Sequence, residues 1–176
     1  MCDVPLPSYF LATDACNTGG GANFLDDWLY VNWDIDVPSM SDSHINILEL
    51  EMVNQAAMKW GMFWSGHHVL IRSDNAATVA SINKGSTKSV PLLRIVEKLF
   101  WLSVLHGFKL TASFLPGIEN VLADIISRMV CTCSALDTQM LLTNGSGLTV
   151  VCRDHMSYGS FLLLQEAWSR ERLTNY

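Results

Sequence analysis

The chain has 176 residues, a length typical of one domain. Hydrophobic residues make up 49% of the chain and charged residues 16%, a composition that excludes an intrinsically disordered protein. The net charge of −6 argues against a generic nucleic-acid binder, because phosphate contacts come from Lys and Arg. The charge is unevenly distributed, however. Residues 1–58 hold nine acidic residues and no Lys or Arg, whereas residues 59–128 hold eight basic and four acidic residues.

Three short apolar stretches open the chain, over residues 9–15, 20–25 and 28–35, with turn residues between them. This pattern predicts a β-meander, followed by a loop over residues 38–43. The next apolar residues recur at helical spacing and predict a long helix that ends at Gly66. They are Ile45, Met52, Val53, Ala56, Trp60, Phe63 and Trp64.

The second half of the chain alternates strands and helices. Residues 68–72 are rich in β-branched residues and predict a buried strand. Helices are expected over residues 76–83 and 90–106, each followed by a glycine, then a strand over 109–115 and a last helix over 120–128. In the helix over 90–106, a core stripe is expected rather than a base-stacking platform. Its residues are Leu92, Leu93, Val96, Phe100 and Trp101.

The element order βββαβααβα predicts an α/β fold, a five-stranded mixed sheet with helices on both faces. Residues 1–128 would form this domain. Residues 129–160 are expected to be a linker or a poorly ordered extension, and residues 161–176 the possible start of a following helical domain.

No apolar run reaches the roughly 18 residues that span a bilayer, and the first ten residues lack the pattern of a signal peptide. We therefore expect an intracellular protein, cytoplasmic or nuclear, without membrane contact. The five Cys are irregularly spaced, so reduced thiols are expected. A zinc site is the less favoured alternative for the last three of them and a nearby His, because their spacing is unusual for a zinc finger. These residues are Cys131, Cys133, Cys152 and His155.

Two carboxylates of the first half stand in apolar surroundings. Asp14 lies in an otherwise apolar strand, although a strand-end Asp is often just the first residue of a turn. Glu49 lies on the apolar stripe of the long helix, whereas Glu51 is rotated by about 200° toward solvent. Burying an unpaired carboxylate costs several kcal/mol, and no Lys or Arg precedes residue 59. A bound metal ion is the economical explanation for Glu49, with an exposed edge position as the alternative.

Two further acids follow in the second half. Asp74 comes after the strand over residues 68–72, where ligands and catalytic groups of α/β sheets commonly lie, with helix N-capping as the alternative. Asp124 lies in the last helix and could equally be an ordinary solvated side chain. Together the four acids can converge on one edge of a sheet. Two-metal hydrolysis of a phosphodiester requires such an arrangement, because Mg²⁺ ions about 4 Å apart take oxygen ligands.

Four blocks of sequence carry a family resemblance. They are Thr13-Asp14-Ala15-Cys16 with Gly20-Gly21-Ala22, His44-Ile45-Asn46-Ile47-Leu48-Glu49-Leu50, Arg72-Ser73-Asp74-Asn75, and Pro116-Gly117 with Asn120-Val121-Leu122-Ala123-Asp124-Ile125-Ile126-Ser127-Arg128. In this order they resemble the motif blocks of retroelement ribonuclease H, over about residues 9–128. Three features resemble the DIRS-like, tyrosine-recombinase-encoding retrotransposons more than the gypsy-like or retroviral branches. They are the second block, the end of the fourth block, and Asp74-Asn75 followed by Thr78, Val79 and Ile82-Asn83-Lys84.

The resemblance implies a ribonuclease H-like fold in which Asp14, Glu49, Asp74 and Asp124 are the catalytic ligands of two Mg²⁺ or Mn²⁺ ions. The implied activity is that of a metal-dependent endonuclease, which hydrolyses the RNA strand of an RNA–DNA hybrid during reverse transcription. The implied partner is a polymerase domain of the same polyprotein. Asn75 would contact the substrate.

The resemblance also carries smaller expectations. Ser127 and Arg128 would support Asp124. The run Gly19-Gly20-Gly21, where relatives often have an aromatic residue, is expected to loosen the first hairpin. The turn before the last helix has no His, which cellular relatives use to help release product; Gly117 and Glu119 occupy that region.

Substrate binding is expected from the basic middle of the chain. Its residues are Lys84, Lys88, Arg94 and Lys98, with Asn83 and Ser86. Arg94 and Lys98 form an i, i+4 pair on one helix face. A solvated face is an equally simple interpretation of these charges.

Two other functions remain open from sequence. One is a catalytically inactive or domesticated copy that keeps the fold as a nucleic-acid or protein interaction module. The other is a different nuclease or an integrase on the same fold. An Asp in the last helix favours ribonuclease H over integrases, whose final acid is usually Glu. The oligomeric state does not follow from the sequence.

Overall fold

The computed structural model describes residues 6–129, in which five strands and five α-helices follow one another. The elements in chain order are β1 (Tyr9–Ala15), β2 (Gly19–Phe24), β3 (Asp27–Asn32), α1 (Trp33–Asp36), α2 (Ile45–Trp60), β4 (His68–Ser73), α3 (Ala76–Lys84), α4 (Val90–His106), β5 (Lys109–Phe114) and α5 (Val121–Ser127). Short 3-10 helices occupy Pro38–Met40 and Gly61–Trp64.

The strands form one mixed sheet in the order β3-β2-β1-β4-β5. The meander β1-β2-β3 is antiparallel, whereas β4 pairs in parallel with both β1 and β5. The predicted α/β class and five-stranded mixed sheet are therefore confirmed. Because β1 is central and parallel to β4, the carboxyl ends of these two strands meet at one edge.

The helices pack on both faces of the sheet. A Cβ atom on Gly20 would point at Met52 of α2, whereas a Cβ on Gly19 or Gly21 would point at the backbone of α5. Successive residues of a strand face opposite sides, so α2 and α5 lie on opposite faces of β2. The hydrophobic core fills the side of α2 and continues to α4.

The sequence suggested that the glycine run in β2 would loosen the first hairpin. It does not, because all three glycines are buried residues of the strand. A Cβ on Gly21 would lie 2.5 Å from both Ala123 O and Ser127 N. A Cβ on Gly19 would lie 2.9 Å from Ser127 O. The glycines thus let the backbone of α5 approach β2 more closely than any side chain would allow.

Two helical stripes differ from the prediction. The long helix ends at Trp60, and the tighter winding of the following 3-10 turn leaves Phe63 71% exposed. In α4 the core stripe is Leu92, Ile95, Val96 and Leu99. Phe100 and Trp101 follow Leu99 by one and two residues and are therefore rotated outward, where they are 57% and 66% exposed.

The third strand also ends earlier than predicted. Its last residue, Asn32, caps the short helix α1 by accepting hydrogen bonds from Asp34 N and Ile35 N at 3.0 and 3.2 Å. An extended chain would leave these N–H groups without this acceptor, so the local cap ends the strand.

Within residues 6–129, none of the helices combines the length and apolar character that crossing a membrane requires.

Gly21→Ala tests the close approach of α5 to β2. The added methyl group would meet two backbone atoms of α5 that cannot move separately. We expect the free energy of unfolding to fall by about 1–3 kcal/mol, as in other overpacked cores. Chemical denaturation followed by circular dichroism measures this change. Ala80→Ser, which adds one atom at an exposed position of α3, is the control; an equal effect of both substitutions would refute the close-packing argument.

Candidate metal centre

Three of the four predicted acids converge at the edge where β1 and β4 end. Oxygen atoms of Asp14, Glu49 and Asp74 all lie within 4.8 Å of one another. Asp14 comes from β1, Asp74 follows β4, and Glu49 reaches them from the second turn of α2. The backbone N–H of Ala15 donates a hydrogen bond to Glu49 Oε1 at 3.2 Å, which ties α2 to the end of β1.

Glu49 is the most deeply buried acid of the three, with 4% of its surface exposed. The alternative of an exposed edge position is therefore wrong. Its second oxygen, Oε2, is buried and has no hydrogen-bond partner within residues 6–129. Burial, together with the nearby charges of Asp14 and Asp74, raises the pKa of Glu49 to about 9. An unsatisfied buried oxygen beside two other carboxylates is a position for a cation.

Asp14 is also buried, but it has a partner on α5. Ser127 Oγ donates a hydrogen bond to Asp14 Oδ2 at 2.5 Å. The pKa of Asp14 is raised to about 6, chiefly by burial; the bond from Ser127 opposes the rise, and the charges of Asp74 and Asp124 contribute to it. The alternative that Asp14 is an ordinary turn residue is wrong, because it lies inside β1, opposite Gly21 of β2.

Asp74 is half-buried and does not cap a helix. The N-cap of α3 is Asn75, whose Oδ1 accepts hydrogen bonds from Ala77 N and Thr78 N at 2.9 and 3.0 Å. The Asp74 carboxylate instead faces the turn before α5, where a Cβ on Gly117 would lie 2.8 Å from Asp74 Oδ2. A glycine at this position leaves room for the carboxylate.

Asp124 lies beside the other three acids rather than among them. It is close enough for its charge to raise the pKa of Asp14, but it does not belong to the cluster within 4.8 Å. Its Oδ1 accepts a hydrogen bond from Arg128 Nε at 2.7 Å, and this bond raises the pKa of Arg128. Both side chains are partly exposed, so an ordinary ion pair on the helix surface remains an alternative for Asp124.

The structure contradicts the prediction for Glu51, which is 1% exposed rather than solvated. Asn54 Nδ2 and Gln55 Nε2 donate hydrogen bonds to Glu51 Oε1 at 2.9 and 2.8 Å, and Lys98 Nζ lies 3.9 Å from its Oε2. The reason is that α4 packs over α2, so α2 is covered on the side away from the sheet as well. Glu51 is not part of the acidic cluster.

The predicted substrate residues fall into two groups. Asn75 Nδ2 donates to Asn46 Oδ1 at 2.9 Å, at the start of α2. Asn83 bonds the edge strand β5 through both amide atoms, to Ala112 O at 2.7 Å and from Ala112 N at 2.8 Å. The other three, Lys84, Lys88 and Arg94, are exposed around the connection from α3 to α4, and no ion pair joins them to another described residue.

Two supporting residues were missed or misassigned from sequence. Asn120 is 1% exposed and donates from Nδ2 to Thr13 O at 2.9 Å, which joins α5 to β1. Ser127 was expected to support Asp124, but its hydroxyl contacts only the backbone carbonyl of Asp124, at 2.9 Å, and the carboxylate that it bonds is that of Asp14. Asn120 lies four residues before Asp124 and Ser127 lies three residues after it, so all three are expected on one face of the last helix. This spacing was the signal in the sequence that could have found both supporting residues.

The donor set fits a hard divalent cation. Three carboxylates supply only oxygen atoms, which Mg²⁺ and Mn²⁺ prefer, and Glu49 Oε2 is a buried oxygen in need of a positive partner. Asp14, Glu49 and Asp74 are therefore the residues that could hold such an ion. The proposed linker, the following domain and the alternative zinc ligands lie outside the described residues.

Comparison with known proteins found no matching family model. It also found no matching curated protein. Solved structures, however, are similar. LC11-RNase H1, from a compost metagenome and solved in complex with an RNA/DNA hybrid, is 18% identical, with a TM-score of 0.56 over 68% of this chain and 93% of that one.

Two other solved structures agree. RNase H1 from Halobacterium salinarum is 14% identical, with a TM-score of 0.51 over 67% of this chain and 92% of that one. The N-terminal RNase H domain of a Mycobacterium tuberculosis protein is 13% identical, with a TM-score of 0.51 over 68% of this chain and 91% of that one. At these identities the similarity shows the fold: the chain has a ribonuclease H-like fold.

The raised carboxyl pKa values predict how stability depends on pH without metal. The pKa of Glu49 rises from 4.5 to about 9 and that of Asp14 from 3.8 to about 6. At pH values between the unfolded and the folded pKa of each group, the folded chain therefore binds more protons than the unfolded chain. The contribution of these two groups to the free energy of unfolding should therefore be largest in acid and be lost as the pH rises toward 9. Denaturation in EDTA at a series of pH values measures this slope.

Glu49→Gln should flatten this slope and be more stable than wild type under mildly alkaline conditions, because the amide keeps the acceptor for Ala15 N without the charge. Glu97→Gln, at an exposed acid of α4, is the matched control. If the free energy of unfolding of Glu49→Gln depended on pH as steeply as that of wild type, Glu49 would not be the group that causes the slope.

Proposed function

We propose that this chain is a metal-dependent ribonuclease H that hydrolyses the RNA strand of an RNA–DNA hybrid. The observation that carries the proposal is the cluster of Asp14, Glu49 and Asp74, two of them buried and one half-buried, where β1 and β4 end in a ribonuclease H-like fold. The similar LC11-RNase H1 was solved in complex with an RNA/DNA hybrid, which supports this class of substrate.

Asp14, Glu49 and Asp74 would hold one divalent ion, and Asp124 would help to hold a second. Bound Mg²⁺ or Mn²⁺ supplies an activated water and stabilises the leaving oxygen in phosphodiester hydrolysis. The protein residues supply the charge that keeps such ions in place. Because Glu49 holds a proton up to about pH 9 without metal, loading of the site would displace that proton.

The substrate backbone would be bound by the exposed cations Lys84, Lys88 and Arg94, which carry most of the positive charge between α3 and the middle of α4. Asn75 stands directly after Asp74 and would contact the nucleic acid close to the reacting bond. Asn83 is already bonded to β5 through both amide atoms, so its proposed contribution would come from holding β5.

We further propose a retroelement origin, with a polymerase domain of the same polyprotein as partner. The four motif blocks and their resemblance to DIRS-like retrotransposons support it. Sequencing the transcript that carries this reading frame tests the idea, because upstream polymerase motifs are expected in the same frame. An uninterrupted cellular frame without them would favour a domesticated copy.

Cleavage assays test the activity and the site together. We expect the full chain to cut a labelled RNA–DNA hybrid in Mg²⁺ or Mn²⁺, to leave duplex DNA, single-stranded RNA and double-stranded RNA intact, and to stop in EDTA. Asp74→Asn keeps the shape of the side chain but removes its charge. The cleavage rate should fall by more than about 100-fold, since even residues that only support metal ligands contribute about 10–100-fold.

Glu97→Gln is again the matched control, because it removes one exposed carboxylate in the middle of α4 that does not belong to the acidic cluster. This variant should cut at the wild-type rate. Folded wild-type protein that cuts no substrate with either metal would refute the proposed activity and favour the non-catalytic interaction module. Cutting of duplex DNA with equal efficiency would favour another nuclease on the same fold.

Combined replacement of Lys84, Lys88 and Arg94 by Ala tests substrate binding. We expect a higher KM, an unchanged kcat, and a salt dependence of binding that is shallower by about 0.7–0.9 in logarithmic slope for each lost phosphate contact. Lys109→Ala, at an exposed lysine of β5, is the control. Unchanged KM and salt slope in the triple variant would show that these charges form only a solvated face.

A further inference from the structure

Ser127, the last residue of α5, is fully buried and stands between two acids. Its Oγ lies 2.5 Å from Asp14 Oδ2 and 2.9 Å from the backbone carbonyl of Asp124. Within residues 6–129, it supplies the one side-chain hydrogen bond to Asp14 that the structure shows.

Contacts on several sides hold the backbone around Ser127 in place. The backbone of α5 lies against Gly19 and Gly21 of β2. Cys16 Sγ donates to Ser127 O at 3.1 Å, and at the other end of the helix Asn120 Nδ2 donates to Thr13 O at 2.9 Å. Since Thr13 and Cys16, on either side of Asp14 in the chain, are both bonded to the region of α5, the backbone of Ser127 is held beside the carboxylate. The contact of Oγ with Asp124 O favours the side-chain rotamer that places the hydroxyl against Asp14.

An Asp carboxylate rotates broadly about its last side-chain bond, because that bond has no sharp staggered minima. When they are ionised, the carboxylates of Glu49 and Asp74 also repel that of Asp14, because the three groups lie within 4.8 Å of one another. A short hydrogen bond from a fixed donor opposes both effects. It holds one oxygen toward α5 and so sets the orientation of the other.

We infer that Ser127 is a positioning residue for Asp14, orienting its carboxylate for the divalent ion and thereby coupling metal binding to the docking of α5. The inference rests on the proposed function, because it assumes that Asp14 is a metal ligand. It assigns no contact between Ser127 and the ion. The coupling works both ways, so a bound ion stabilises the packing of α5 on β1 and β2.

The test is Ser127→Ala in the full chain, with Mn²⁺ binding followed by the loss of the free-ion signal in electron paramagnetic resonance. We expect the tightest Mn²⁺ site to weaken about 10–100-fold, as is common when a residue supporting a metal ligand is removed. Ser81→Ala is the matched control, because it deletes a buried hydroxyl on α3 that has no part in the cluster. It should bind Mn²⁺ like wild type.

Circular dichroism in EDTA shows whether Ser127→Ala is folded. Should it not fold, Ser127→Cys keeps the size of the side chain and donates a weaker hydrogen bond, and its Mn²⁺ affinity should fall below that of wild type. Wild-type affinity in a folded Ser127 variant, or an equal loss in Ser81→Ala, would overturn the inference.

Hybrid cleavage by the same preparations separates the two proposals. Wild-type protein that cuts the hybrid, together with a Ser127→Ala variant of unchanged Mn²⁺ affinity, would leave the proposed function intact and remove only the role of Ser127. Wild-type protein that binds no Mn²⁺ and cuts no hybrid would overturn both.

Discussion

The main constraint on the structure is the mutual repulsion of carboxylates that are held close together and largely out of water, because the rest of the fold must overcome it. Asp14, Glu49 and Asp74 lie within 4.8 Å of one another, and two of them are more than nine-tenths buried. Without a cation this arrangement is costly, and protonation of Glu49 and Asp14 relieves part of the cost. A fold that keeps such a cluster must stabilise it through neighbouring packing, and a divalent ion would convert the cost into binding free energy.

That packing comes from both faces of the sheet. On one face α2 carries Glu49 over the end of β1, where Ala15 N bonds it. On the other face α5 bonds β1 on both sides of the site, through Asn120 to Thr13 and through Ser127 to Asp14. The glycines of β2 make this possible, because they let α5 lie nearly in backbone contact with the sheet. The residues that hold the acids are therefore far apart in sequence, and the centre is complete only when the last helix is in place.

The sequence predicted most of the fold and the acids of the centre, because both depend on local pattern. Strand β1 and helix α4 were placed at their observed bounds, and Glu49 was identified by its position on an apolar stripe. The early end of β3 and the exposure of Phe63 have local causes, a helix cap and a 3-10 turn, whereas the other misses share one cause, the arrangement of elements in three dimensions. Glu51 is buried only because α4 covers α2, Phe100 and Trp101 are exposed because nothing described packs over that side of α4, and the bond from Ser127 to Asp14 joins residues 113 positions apart. Periodicity carries no information about such contacts.

The bond between Asn83 and β5 has a consequence for how the protein behaves at high concentration. β5 is an edge strand, and an open edge invites strand addition from another molecule. The amide of Asn83 copies the donor and acceptor of a neighbouring strand at Ala112, in the middle of that edge. One side chain thus occupies the backbone donor and acceptor of Ala112, which are then closed to a strand from a second molecule. The residue that ties α3 to the sheet therefore shortens the part of the β5 edge that is open to strand addition.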